Sequence, residues 1–197
     1  MYLYGASGHG KVIRDIAEAL HKKVDGFIDD DLTISELNGL PVLHSVDVVD
    51  EVIISIGENH LRKKIASMIS CPISKAIIHP NAVISPSVSI GDGSVVMAGT
   101  VINADSRIGK HCIINTGATL DHECLIADYV HVSPHATLCG NITIDEGAWI
   151  GAGAIIIPGI HIGRRSIIGA GSVVVEDIPD GVLAYGNPCR VVKKIIE

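Results

Sequence analysis

Three ionisable residues, Asp121, His122 and Glu123, stand together in a stretch that is otherwise aliphatic and small, and His131 follows nine positions after His122. An unperturbed imidazole titrates near pH ~6.5, so it can remove a proton from an amine or a hydroxyl at working pH. A neighbouring carboxylate, Glu123 or Asp121, would orient the ring and raise its basicity. The pattern fits general-base activation of such an acceptor, which needs no serine or cysteine nucleophile.

A second constellation lies near residue 1. "YGASGHGKV" sets Gly5, Gly10 and Lys11 at P-loop spacing, but Val12 stands where Ser or Thr would hold magnesium, which argues against a kinase or ATPase. The dinucleotide fingerprint also fails, because Gly5, Gly8 and Gly10 run in its reverse order. What survives is the physics both motifs share: glycines between a strand and a helix let a phosphate approach backbone N–H groups at the helix N-terminus. The alternative is a tight turn without a ligand. Asp29 with Asp30, and Gly57 with Asn59, fall at the ends of further expected strands, where an open α/β sheet places its ligand contacts; the carboxylates would otherwise be helix caps or a solvated loop.

Two kinds of element must hold these groups. Up to about residue 75, "MYLYG", "VDGFID" and "EVIISIG" read as buried strands, His9 to Leu20 as a helix with Val12, Ile13, Ile16, Ala17 and Leu20 on one face, and "ENHLRKKIASMI" as a second helix. That is a small Rossmann-like βαβ sheet. From Ile78 to Val174 an Ile, Val or Leu recurs at every sixth position without a miss, with a small or β-branched residue two before it. Each unit is a short strand that buries its face only by stacking on its neighbours, and an aromatic content of 3% agrees with a core of β-branched side chains. The boundary falls at "CPIS" or just after, giving residues 1–75 and 76–197.

The hexads resemble those of the hexapeptide-repeat acyltransferases, which implies a left-handed parallel β-helix of three strands, eighteen residues, per coil. Together with "YGASGHG", the paired acids, "IGEN" and "HEC", the whole chain is similar to bacterial sugar acetyltransferases with an N-terminal sugar-nucleotide domain, most closely the N-acetyltransferases of the UDP-N-acetylbacillosamine pathway. The resemblance implies acetyl-CoA as co-substrate with no metal. It also implies His122 as general base with Glu123 as its partner, and acetyl-CoA contacts at His131, Gly140, Ala152 and Ala170. Ser7, Gly8, His9, Asp29, Asp30 and Gly57 would hold the nucleotide sugar, UDP being the expected carrier, while Lys11 takes no role. The acceptor is expected to be the amine of a 4-amino-4,6-dideoxy sugar; the second reading is O-acetylation of a hydroxyl, of the sialic-acid type.

At eighteen residues per coil the stacked neighbours of His122 are Ala104 and Gly140, both small, which leaves a groove for a thin cofactor arm. His131 is half a coil away, so the two histidines share a site only across a subunit interface; this favours a homotrimer, as the family resemblance also implies. Arg190, Lys193 and Lys194 after the last hexad are candidate contacts for CoA phosphates or plain solvated residues. Two remoter readings are a zinc enzyme of carbonic-anhydrase type, using His131 and His135 with His122 or His111, and a sugar-nucleotide sensor without catalysis.

A formal charge of -7 argues against a general nucleic-acid binder, which needs a basic footprint. No run approaches the ~20 apolar residues of a membrane span, "MYLYGASGHG" has no signal-peptide pattern, and five cysteines without a CxxC pair suit a reducing compartment; the expected location is the cytoplasm.

Overall fold

A computed structural model describes residues 1–47 and 49–195. The N-terminal unit runs β1 (Tyr2–Tyr4), α1 (Gly8–Ala19), β2 (Gly26–Ile28), β3 (Glu36–Leu37), β4 (Leu40–Leu43), β5 (Val52–Ile54) and α2 (Asn59–Met68). Its sheet has the order β3-β4-β2-β1-β5, parallel throughout except for the β3–β4 hairpin. The expected helices and strands are present. The hairpin adds to them, and it has a local cause: Asn38-Gly39 between Leu37 and Leu40, with φ of 50° and 76°, is the dipeptide that left-handed two-residue turns require.

From Ile77 to Val174 the chain winds through two-residue strands, β6 (Ile77–Ile78) to β22 (Val173–Val174), whose residues pair in parallel with those eighteen positions on, as Thr119 does with Thr137. They form three flat sheets. The first contains the strands starting at Ile77, Val95, Ile113, His131, Trp149 and Ile167, the second those starting at Val83, Val101, Thr119, Thr137, Ile155 and Val173, and the third those starting at Ser89, Arg107, Leu125, Thr143 and His161. The inward residues, such as Leu120, Ile126, Val132 and Leu138, belong to one dry core with the small residues Ala118, Cys124, Val130 and Ala136. This is the three-sided hexapeptide β-helix that the family resemblance implies, built from the stacked short strands that the periodicity predicts. A hairpin of β23 (Val182–Gly186) and β24 (Cys189–Lys194) extends the first sheet beyond it.

The corners obey their own period. Every sixth residue from Gly93 to Gly171 has φ between 54° and 77°, and the non-glycine members are Asp105, His111, Glu123, Tyr129, His135, Asn141 and Arg165. One left-handed residue per corner turns the chain by a third of a coil, and the side chain just before it projects from the edge of the prism.

The two halves share a core. Ile13, Ile16 and Ala17 of α1 and Leu3, Phe27 and Ile53 of the sheet pack in one cluster with Ile77, Val95, Met97 and Ile113 of the first β-helix sheet. From α2, Arg62 reaches across. Its side chain is buried, 1% exposed, and donates to the carbonyls of Ile56, Gly57, His111 and Tyr129 and to Asn59 Oδ1 at 2.7–3.1 Å. Asn59 Nδ2 donates to the carbonyls of Gly147 and Ala148, and Lys63 pairs with Glu146. Among the described residues no helix is long and apolar enough to cross a membrane.

Candidate active site

His122 and Glu123 occupy the corner between the second and third sheets, with Glu123 at the left-handed position (φ 60°). From there Glu123 Oε2 lies 3.0 Å from His122 Nδ1. Asp121, the other carboxylate that the sequence left open for orienting the ring, takes a different part. It does not touch the ring: its Oδ1 accepts the backbone N–H of His122 at 2.8 Å and the Asn103 amide at 2.9 Å, so Glu123 is the carboxylate that orients the imidazole. With Nδ1 engaged by Glu123, Nε2 is the ring nitrogen left clear of that carboxylate. It lies over Gly140 one coil above: a Cβ built on Gly140 would sit 2.5 Å from both Cε1 and Nε2. The ring is half-exposed, 55% accessible, so an acceptor can reach it.

The remaining candidates divide by place. Gly140 shares the His122 edge. Ala152 and Ala170 lie on the next edge, between the first and second sheets, where Gly153 and Gly171 continue a narrow strip of small residues. His131 is on the first sheet and faces the N-terminal unit. Only 7% exposed, it stacks on Trp149 with ring centroids 5.0 Å apart; its Nδ1 faces the Gly57 carbonyl at 3.2 Å and its Nε2 the Asn115 amide at 3.1 Å. A hydrogen bond from this ring to a cofactor therefore needs one of these contacts to give way. Burial first, then the Arg62 charge, holds His131 neutral with its pKa lowered to about 4, and the same causes lower His9 to about 4.

The glycine loop lies between β1 and α1 and is tied to the end of β5, where Ser55 Oγ donates to the Gly5 carbonyl at 2.9 Å. Gly5 (φ 121°) admits no side chain, because a Cβ there would lie 2.8 Å from the Ser55 carbonyl oxygen, so this glycine serves the turn itself. Gly8 and Gly57 differ: a Cβ at either meets nothing within 4 Å, and the space in front of α1 is open. Ser7 is the N-cap of α1, yet its hydroxyl makes no capping bond and stays available. His9 lies in the first turn with Nε2 buried and unpartnered among the described residues. Asp29 has both carboxylate oxygens engaged by backbone N–H groups, those of Ala6 at 2.8 Å and Asp31 at 3.0 Å, and so straps the glycine loop to the end of β2. Asp30 accepts the Tyr4 hydroxyl at 2.7 Å, and burial together with that carboxylate pushes the Tyr4 phenol up to about 12.

Arg190 bonds the Cys189 carbonyl at 2.7 Å and pairs with Glu176 at 3.1 Å, while Lys193 and Lys194 lie exposed on β24. His111 stacks on Tyr129 and His135 folds over Gly117, so neither converges with His131 or His122 within one chain. Among the described residues no three His, Cys, Asp or Glu side chains gather as a metal site. Sequence reasoning missed Arg62, Asn115 and Trp149. Arg62 sits in "LRKK" on an amphipathic helix and looks solvated; only the docking of α2 against a β-helix edge buries it.

Known proteins share this architecture. The family descriptions "PglD N-terminal domain", "Hexapeptide repeat of succinyl-transferase" and "Bacterial transferase hexapeptide (six repeats)" match residues 1–69, 80–104 and 141–175. The UDP-N-acetylbacillosamine N-acetyltransferase of Bacillus subtilis (strain 168) is 43% identical over 49% of this chain; the chain spans 50%, about half, of that curated relative's length. Among solved structures, a histidine-to-asparagine variant of perosamine N-acetyltransferase from Caulobacter crescentus, in complex with CoA and GDP-perosamine, superposes with a TM-score of 0.93 at 38% identity, covering 98% of this chain and 96% of its own. The acetyltransferase domain of PglB from Neisseria gonorrhoeae FA1090, in complex with acetyl coenzyme A, superposes with a TM-score of 0.90 at 38% identity, covering 97% and 98%.

Proposed function

Because the chain belongs to the hexapeptide-repeat sugar N-acetyltransferases that carry a PglD-type N-terminal domain, we propose that it moves the acetyl group of acetyl-CoA onto the amine of a nucleotide-linked 4-amino-4,6-dideoxy sugar. The observation that carries the reading is the His122–Glu123 pair, with Nδ1 on the carboxylate and Nε2 turned outward over Gly140. The free amine attacks the thioester carbonyl carbon, His122 Nε2 takes the ammonium proton as the C–N bond forms, and the tetrahedral intermediate collapses with the CoA sulfur as leaving group. The proton on His122 neutralises the departing thiolate, so the ring returns to its starting state.

The open space in front of α1 is the crevice proposed to receive the nucleotide diphosphate, with Ser7, Gly8, His9 and Gly57 along it and Asp29 and Asp30 at its strand end. His131, Gly140, Ala152 and Ala170 are carried over as contacts of acetyl-CoA, which runs past the small-residue strip. These groups lie on different faces of one chain, so the site is completed by a second copy. The second sheet lies between the two edges involved and presents Val83, Val101, Thr119, Thr137, Ile155 and Val173 outward, with Val83 65% and Ile155 43% exposed. Association through this β-branched face into a homotrimer would bring one protomer's His122 edge to another's crevice, with the cytoplasm as the expected location.

The nucleotide is the finer part of the proposal. The Bacillus relative is named for a UDP sugar and the Caulobacter neighbour holds a GDP sugar; UDP is the carrier proposed for this chain. The test is thiol release from acetyl-CoA against UDP- and GDP-linked 4-amino-4,6-dideoxy sugars, with the product analysed for an amide. An alkali-labile ester product, or no turnover with any amino-sugar nucleotide, overturns the reading.

A further inference from the structure

The corner that presents His122 is gripped from the coil below by three groups. Asn103 Nδ2 donates to Asp121 Oδ1 at 2.9 Å, and the same oxygen accepts the His122 N–H at 2.8 Å. The Ala104 carbonyl accepts the Glu123 N–H at 2.9 Å. Ser106 Oγ donates to the Asp121 carbonyl at 2.9 Å and accepts the Cys124 N–H at 3.1 Å. The serine grip recurs at Ser94, whose Oγ serves the Gly109 carbonyl and the Cys112 N–H on another edge, so it belongs to the scaffold. The Asn103 link is different in kind: it is an exposed side-chain contact that adds nothing to the core and ends on the backbone of the proposed base.

We infer that Asn103 is a positioning residue for His122: its amide fixes the Asp121 carboxylate, and that carboxylate fixes the backbone N–H from which the imidazole is hung over Gly140. The inference rests on the reading of His122 as the base. Glu123 sets the ring's rotation and tautomer; Asn103 and Asp121 set where the ring starts. A shift of ~1 Å in such a group costs on the order of 10²-fold in rate, so an exposed amide is enough to matter. Among the described residues, the charged or titratable group that acts on the Asp121 carboxylate is His122 beside it, and the carboxylate in turn acts on the Cys124 thiol of the same corner. Among the described residues, Asn103 is the side-chain donor that the coil below supplies to that carboxylate.

The experiment compares N103A, N103D, the exchange N103D/D121N and H122A in the intact protein. N103A is expected to lose about 10-fold or more in kcat, with KM for acetyl-CoA and the melting temperature unchanged. N103D sets two carboxylates together, which hold only when they share a proton; its kcat relative to wild type should rise as the pH is lowered from about 8 to about 6. The exchange restores a donor and an acceptor in opposite order: the amide now at position 121 accepts the His122 N–H through its oxygen and donates to the carboxylate now at position 103. It should recover most of the loss. If N103A and N103D turn over like wild type while H122A is inactive, Asn103 has no positioning role. An exchange variant that folds like wild type yet fails to recover kcat overturns the inference equally. A fully active H122A overturns instead the reading on which the inference rests.

Discussion

Glu123 reaches His122 Nδ1 at 3.0 Å from a left-handed backbone conformation that most other corners give to Gly, Asn, Asp or His. A glutamate gains nothing there for the fold, since non-glycine residues in this region carry a strain of ~1 kcal/mol. Its place at the corner is explained by the ring it orients. Replacing Glu123 with Gly should therefore leave the melting temperature unchanged or higher while kcat falls by about 10-fold or more; a variant that is both stable and fully active removes Glu123 from the mechanism.

His122→Ala deletes the base and keeps the corner. Loss of general-base catalysis lowers kcat by ~10² or more, with KM for acetyl-CoA little changed. Steady-state kinetics with the preferred amino-sugar nucleotide decides this, and wild-type turnover would exclude the proposed chemistry.

Gly140 adopts an ordinary negative φ, so its lack of a side chain answers to sterics alone. Gly140→Val places a branched side chain where the imidazole now lies, 2.5 Å from a built Cβ to Cε1 and Nε2, and forces the ring off the edge. Activity should fall as far as in His122→Ala, with circular dichroism and melting unaltered.

Arg62 satisfies five acceptors from two halves of the molecule while itself buried, with desolvation lowering it to about 10. Arg62→Met leaves the carbonyls of His111, Tyr129 and Gly57 without this donor at a buried junction, each costing on the order of 1–3 kcal/mol. A total loss of about 3 kcal/mol or more is expected in denaturant unfolding. Arg62→Lys should not restore it, because an ammonium group lacks the planar fork that serves several carbonyls at once.

His9 and His131 give stability a defined pH dependence. Both are lowered to about 4 in the folded protein, by burial first and the Arg62 charge second. Unfolded, each binds a proton near pH ~6.5, so between ~6.5 and ~4 the unfolded chain holds more protons and the unfolding free energy falls as the pH falls. Urea unfolding across that window should show a slope approaching two protons, and His131→Phe should remove about one of them. A flat profile would mean that neither ring is buried as described.

Much of the fold is legible in the sequence because a β-helix repeats locally. Six residues suffice to specify one strand and one corner, so the unbroken series from Ile78 to Val174 declares the solenoid, and once the family resemblance supplies three strands per coil the stacking of Ala104, His122 and Gly140 follows by counting eighteen. The side-by-side histidine and glutamate can be read for the same reason, since neighbours in sequence at a corner are neighbours in space. Asn38-Gly39 is a local signal of the same kind, which specifies the β3–β4 hairpin within two residues.

What one chain's residues determined unaided is therefore the short-range part: the period, the core and the histidine–carboxylate pair. What only the tertiary structure decided depends on faces brought together from far apart. Arg62 and Gly57 of the N-terminal unit meet His111, Tyr129 and His131 of the β-helix across separations of 49 to 74 residues, and no periodicity encodes which edge α2 docks against. The same holds between Asp121 and Glu123, two carboxylates flanking one imidazole. Composition cannot rank them, but the folded corner does, with Glu123 on the ring and Asp121 on the backbone and on Asn103.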